Sequence, residues 1–367
     1  MRIAQIAPLY ESVPPSRYGG TERMVSYLTE ELIAMGHEVT LFASGDSQTA
    51  ARLISPCRKS LRTDPQCTDP LAYHVLMLEQ LAAREGQFDF IHFHIDYLHY
   101  HWSRRRKTPH VTTLHGRLDL HHLEPLYREY SEMPVVSISE SQRRPLPWIN
   151  WQRTVYHGLP LDLYAFGGQP QDYLVFVGRI SPEKGLDDAI EIAGRTGLRL
   201  KIAAKVDRAD REYFEQVMQP LLGRPYVEYL GEATQQEKGD LIRGALAMLV
   251  PVNWPEPFGL VMIEAMACGT PVIAYRRGSI PELLEDGVNG FIVRDIEEAA
   301  QAVERVGGVN RAACRRVFEK RFTAARMARD YMNVYAALAG TPDEDSEPID
   351  RTTQWTKSFD STSNSTF

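Results

Sequence analysis

The hydrophobic pattern of this chain runs strand, helix, strand twice over, and that doubling constrains the fold more than any other feature. Short β-branched runs alternate with stretches of helical period, the pattern of parallel α/β architecture, because parallel strands need a crossover helix between them. In the first half Arg2–Ala7 reads as a strand, Thr21–Met35 as a helix closed by Gly36, and Glu38–Ala43 as the next strand. Further strands are expected at Phe90–Phe93, Val111–Leu114, Val135–Ile138 and Thr154–Tyr156. Glycine and proline break the period at Ala165–Gln171, and then the pattern restarts. Strands follow at Tyr173–Val177, Leu200–Ala204, Val227–Leu230, Leu246–Pro251 and Pro271–Tyr275, with helices at Leu186–Arg195, Arg211–Leu222 and Leu260–Cys268.

The expectation is two doubly wound domains, residues 1–164 and 165–322, with a helix over Thr323–Leu338 packing back on the first. Residues 341–367 hold eleven Ser or Thr and few aliphatics, and are expected to form a mobile polar tail. In doubly wound sheets ligands bind at the carboxyl ends of the strands, so a cleft between the domains is the expected site.

Several absences narrow the chemistry. No two glycines stand one residue apart and Gly-Lys is missing, so neither a G-x-G-x-x-G fingerprint nor a P-loop occurs. There is no G-x-S-x-G nucleophile elbow. Forty-one Lys and Arg against 48 Asp and Glu leave a net charge of −7, which argues against nucleic acid as a partner. The four cysteines contain no C-x-x-C pair and read as reduced thiols. The apolar run before Pro8 is too short for a signal peptide, and no stretch approaches the roughly 18 apolar residues of a membrane span. A cytoplasmic location is therefore expected.

The strongest positive signal is Asn253-Trp-Pro-Glu-Pro-Phe-Gly-Leu260, followed by Val-Met-Ile-Glu264. A buried strand ends at Pro251, two prolines extend the chain, and a helix is expected to begin near Phe258. Free amides of Phe258, Gly259 and Leu260 would then make an anion site, with Gly259 allowing close approach. Glu256 before the helix and Glu264 inside it suit a ligand with hydroxyls on both sides of its phosphate, which describes a nucleotide-sugar. The plainer alternative is a helix capped by Glu256. A second signal is Phe176-Val-Gly-Arg-Ile-Ser-Pro-Glu-Lys-Gly185, where Arg179 and Lys184 flank a turn at a strand's carboxyl end. Two such cations suit a diphosphate, although a solvated turn would look the same.

These two segments, with Gly19-Gly20 after the first strand, resemble the family-4 retaining glycosyltransferases, whose GT-B fold faces two Rossmann-like domains across a cleft. Glu256 and Glu264 match that family's E-x7-E motif with P-F-G inside it, and Gly178–Gly185 matches its G-R-x-x-x-x-K-G turn. The resemblance runs from Arg2 to about Leu338. It implies a nucleoside-diphosphate sugar donor, with Arg179 and Lys184 on the diphosphate and Glu264 on the ribose. Glu256 would hold hydroxyls of the transferred sugar, and the amides of Phe258, Gly259 and Leu260 would touch the sugar and β-phosphate. Gly19 and Gly20 would let the N-terminal loop close over diphosphate and acceptor, and His115 would stand beside the donor sugar. The acceptor would be a sugar, a small molecule or a lipid-linked sugar, and neither a cofactor nor a metal is implied. A nucleotide-sugar 2-epimerase of the same fold and a non-catalytic nucleotide-sugar binder are the alternatives.

Three stretches leave choices open. His92, His94 and Asp96 could chelate a metal, but strand-end packing explains the histidines better. The run Arg104-Arg-Arg-Lys107 reads as a solvated face, with an anionic membrane surface as the alternative. Arg277, where many family members have a glycine pair, faces either the cleft or solvent.

Overall fold

A computed structural model describes residues 1–17 and 19–340 of the chain, so the polar tail expected from Thr341 lies outside the described residues. Strands β1 (Arg2–Ile6), β2 (Glu38–Phe42), β3 (Arg52–Ile54), β4 (Phe90–Phe93), β5 (His110–Thr113), β6 (Val135–Ser137) and β7 (Trp151–Thr154) form one parallel sheet. Its order is β3-β2-β1-β4-β5-β6-β7. Strands β8 (Tyr173–Arg179), β9 (Arg199–Lys205), β10 (Val227–Tyr229), β11 (Ala247–Val250), β12 (Val272–Tyr275) and β13 (Gly290–Val293) form a second, ordered β10-β9-β8-β11-β12-β13. Strand order switches direction between β1 and β4 and again between β8 and β11, and such switch points open a crevice at the carboxyl ends.

The longer helices are α1 (Gly20–Ala34), α2 (Pro70–Ala82), α3 (Leu186–Thr196), α4 (Gln235–Gly244), α5 (Leu260–Cys268), α6 (Ile296–Arg305), α7 (Arg311–Arg321) and α8 (Ala324–Ala339). Two expected elements differ. The last strand of the first sheet lies earlier than Thr154–Tyr156, because Trp151 packs beside Val135 and Leu146 and its indole N–H donates to the Leu146 carbonyl. The run Arg211–Leu222 is broken by a π-helical stretch at Phe214–Met218, just before Pro220, which has no N–H to continue the α pattern.

Every residue of β4, β11 and β12 is buried, as parallel strands covered on both faces require. Helix α8 lies on the first sheet, not the second: Met327, Tyr331 and Tyr335 share a core with Ile3, Phe90 and with Leu28 and Leu32 of α1. The chain thus crosses between domains twice. The crossings are stitched together by Leu159 N–H to the Phe322 carbonyl (2.9 Å) and Ala324 N–H to the Leu159 carbonyl (2.8 Å). Arg326 donates to the carbonyls of Tyr156 (2.7 Å) and His157 (2.9 Å), and Arg315 to that of Leu161 (2.7 Å). Gly158 sits so close to the other crossing that a Cβ would lie 2.2 Å from the Thr323 carbonyl oxygen. Gly158→Ala should therefore destabilise the protein by about 1–3 kcal/mol through overpacking. An unchanged urea midpoint would contradict this account of the joint.

Candidate active site

A cleft of about 780 Å³ lies between the two sheets at their carboxyl ends, and all ten residues singled out from the sequence line it. They are Gly19, Gly20, His115, Arg179, Lys184, Glu256, Phe258, Gly259, Leu260 and Glu264. Helix α1 starts on one wall and helix α5 on the other, and neither start has a side-chain cap. The two starts touch: a Cβ on Gly20 would lie 3.4 Å from Leu260 Cδ1. Among the described residues the amides of Gly20, Phe258, Gly259 and Leu260 donate to no protein acceptor. Two positive helix ends with free N–H groups converging on one space make an anion site.

Helix α5 begins at Leu260 rather than near Phe258, because Gly259 takes a left-handed φ of 85° and turns the chain before the helix starts. Glu256 does not cap it. Its Oε2 accepts from Lys184 Nζ at 2.5 Å and from the Trp254 indole N–H at 3.0 Å. The loop carrying Glu256 is clamped from behind. Ser279 N–H donates to the Glu256 carbonyl (2.9 Å), Ser279 Oγ to the Phe258 carbonyl (2.8 Å), and Ser139 Oγ of the first domain to the Pro257 carbonyl (2.6 Å). Gly278, at φ 53°, presses against this loop so closely that a Cβ would stand 2.3 Å from the Glu256 carbonyl oxygen. Glu282 then ties the domains, accepting from the amides of Glu140 (2.8 Å) and Ser141 (2.7 Å) and from the Tyr156 hydroxyl (3.0 Å). Arg277 is exposed and outside the cleft lining, which answers the question the sequence left open.

Glu264 is buried, with Oε1 held by Lys238 Nζ at 2.5 Å and Oε2 unpartnered among the described residues. Lys238 and Gln235 come from α4, which the sequence reading missed; its one signal is the capping box Thr234-Gln-Gln-Glu237. Across the cleft Gln235 accepts from Arg23 of α1 at 2.7 Å. Arg179 pairs with Glu183 and lies 3.6 Å from both Asp207 and Asp210. The Arg104–Lys107 run is partly paired, with Arg104 on Glu129 and Glu132 and Arg106 on Glu85.

The histidines form an ordered chain into the cleft. Gln5 Nε2 donates to the Tyr335 hydroxyl of α8 (3.1 Å), and Gln5 Oε1 accepts from His94 Nε2 (2.8 Å). His94 Nδ1 is then left to accept from His115 Nε2 (2.9 Å), and His115 Nδ1 has no partner among the described residues. His115 is thus bonded to a ring rather than to a carbonyl, and it stacks on His157 at 5.3 Å. His92 is spent on Tyr335 (2.6 Å) and Thr113 (2.8 Å). Among the described residues no three His, Cys, Asp or Glu side chains are grouped to hold a metal. No helix among them is long and apolar enough to cross a membrane.

Two family models match this chain, Glycosyl transferases group 1 over residues 168–307 and Glycosyltransferase Family 4 over residues 18–152. An uncharacterized glycosyltransferase of Methanocaldococcus jannaschii is 26% identical over 91% of this chain and 98% of its own length. A D-inositol 3-phosphate glycosyltransferase of Streptomyces avermitilis is 27% identical over 77% of this chain and 74% of its own. Anabaena HepE, solved with UDP and glucose, superposes with a TM-score of 0.70 at 18% identity, covering 92% of this chain and 100% of that one. The fold and the matches together define a GT-B glycosyltransferase. The chain belongs to the family-4 glycosyltransferases, and the epimerase alternative is not favoured.

Burial holds His92, His94, His99 and His157 well below the usual imidazole range and pushes His115 down to about 3. Burial thus favours their neutral form in the fold, whereas in the unfolded chain they take up protons below about pH 6.5. The unfolded state therefore binds more protons as pH falls, and each such histidine costs about 1.4 kcal/mol per pH unit below that value. Tm should fall steeply between pH 7 and 5; a flat Tm across that range would contradict the neutral, desolvated cluster.

Proposed function

We propose that this glycosyltransferase moves a sugar from a nucleoside diphosphate to an acceptor hydroxyl with retention at the anomeric carbon, giving an α-linkage. The observation that carries this reading is the convergence of the α1 and α5 starts beside Lys184, with Glu256 and Glu264 on either side of the α5 start. The diphosphate sits against the free amides. Lys184 leaves Glu256 for phosphate, and Arg179 turns to phosphate from its cluster of carboxylates. Glu256, relieved of Lys184, accepts hydroxyls of the sugar, while the free Oε2 of Glu264 accepts a ribose hydroxyl. His115 Nδ1 accepts from a hydroxyl of the transferred sugar.

As the anomeric carbon–oxygen bond breaks, charge gathers on the departing β-phosphate, where Lys184, Arg179 and the helix amides stabilise it. The acceptor oxygen bonds to the anomeric carbon on the same face, and its proton passes to the departing phosphate oxygen. The side chains and amides of the chain supply the positive charge this step requires, and no cofactor enters it. The complex of Anabaena HepE with UDP and glucose supports a uridine donor as the first to test. The name of the Streptomyces avermitilis relative makes D-inositol 3-phosphate the first acceptor. A cytoplasmic site of action belongs to the same reading.

Thermal unfolding with UDP, GDP and ADP tests it. A nucleotide at 100 times its Kd should add about 2.7 kcal/mol of stability, and Glu264→Ala should reduce that gain. No shift with any nucleotide, or an equal shift in the variant, would contradict the donor site.

A further inference from the structure

One cleft side chain has no place in the donor site. Asp96 follows β4 on the first-domain wall and is the only non-glycine residue among those described with positive φ, at 49°. Few residues tolerate that conformation, and it persists where surrounding structure over-determines it. Here the determinant is His99, three residues on. Its ring stacks on Phe93 at 3.5 Å, with Nε2 bonded to Thr112 Oγ1 and Nδ1 to Ser103 Oγ, both at 2.8 Å. The turn is thereby fixed, and it presents Asp96 to the cleft.

Three other carboxylates of the cleft are matched to cations, Glu256 to Lys184, Glu264 to Lys238 and Glu232 to Arg17, while Glu22 of α1 is buried and makes no ion pair among the described residues. Asp96 makes no hydrogen bond and no ion pair among the described residues. The residue is exposed, with its carboxylate open to solvent on the cleft wall. At neutral pH it is an ionised group that can only accept hydrogen bonds. The phenols of Tyr100 and Tyr127 stand near enough to feel its charge, and it shares the cleft lining with His94, His115 and Tyr97. A phosphate or carboxylate would be repelled there, whereas hydroxyl groups would satisfy the carboxylate.

We propose that Asp96 anchors the acceptor, its carboxylate accepting hydrogen bonds from hydroxyl groups on an uncharged face of a polyol or sugar. This rests on the glycosyltransferase reading of the cleft and assigns its first-domain wall. The test compares wild type with Asp96→Asn and Asp96→Ala. Release of UDP from UDP-glucose and of GDP from GDP-mannose is followed without acceptor and with D-glucose, myo-inositol or D-inositol 3-phosphate. Both variants should raise the acceptor KM about tenfold or more, the loss of one charge-assisted bond. Donor KM should stay within about twofold, and Tm should not fall. An unchanged acceptor KM would overturn the proposal. So would a Tm drop of more than about 4 °C, the scale of a structural contact in a protein of this size. If wild type releases nucleotide but none of the three hydroxyl compounds stimulates it, the assigned acceptor class is wrong. If it releases none from either donor, the reading of the cleft fails first and Asp96 with it.

Discussion

Two helices that begin on opposite walls of one cleft, with their first amides unpaired, are the constraint on which the rest of this molecule depends. Bare helix ends are unfavourable unless something satisfies them, and here glycines keep side chains out of the way. Gly19 and Gly259 carry positive φ at the two starts, and Gly20 faces the Leu260 side chain across the cleft. The sheets exist to aim these ends. Both are parallel, so their carboxyl edges face one way, and the stitched crossings at Leu159 and Thr323 hold the two edges opposite each other.

Charge in the cleft is held in reserve. Lys184 rests on Glu256, Lys238 on Glu264, and Arg179 among three carboxylates, so each of these cations is paired within the protein. In the proposed donor complex a diphosphate would exchange partners with these pairs rather than meet bare cations. The first-domain wall follows a different rule. It is built of imidazoles locked by Gln5 and Tyr335, and its carboxylates Asp96 and Glu22 make no ion pair among the described residues.

Much of this was legible in the chain itself because parallel strands are continuous apolar runs. Phe90–Phe93 was placed to the residue, since burial of every position left its pattern no ambiguity. The cations and carboxylates that line the second-domain wall were singled out through their spacing around prolines and glycines. What failed lay where tertiary contacts decide. Helix α4 is polar along most of its length and looks like loop, yet it supplies Lys238. Strand β7 is a polar edge placed by a tryptophan contact. Asp96 was weighed only as a metal ligand, because a left-handed φ and a missing partner leave no trace in sequence.

The claim at the centre is that converging helix amides and Lys184 bind a diphosphate. Calorimetric titration of the protein with a nucleoside, its monophosphate and its diphosphate, in the uridine and guanosine series, tests it most directly. In the series that binds, the diphosphate should exceed the monophosphate by about tenfold or more, because charge-assisted bonds to the β-phosphate are worth roughly 1.5–3 kcal/mol each. Equal affinity for nucleoside, monophosphate and diphosphate would contradict it, placing the binding energy in the base pocket instead of at the helix ends.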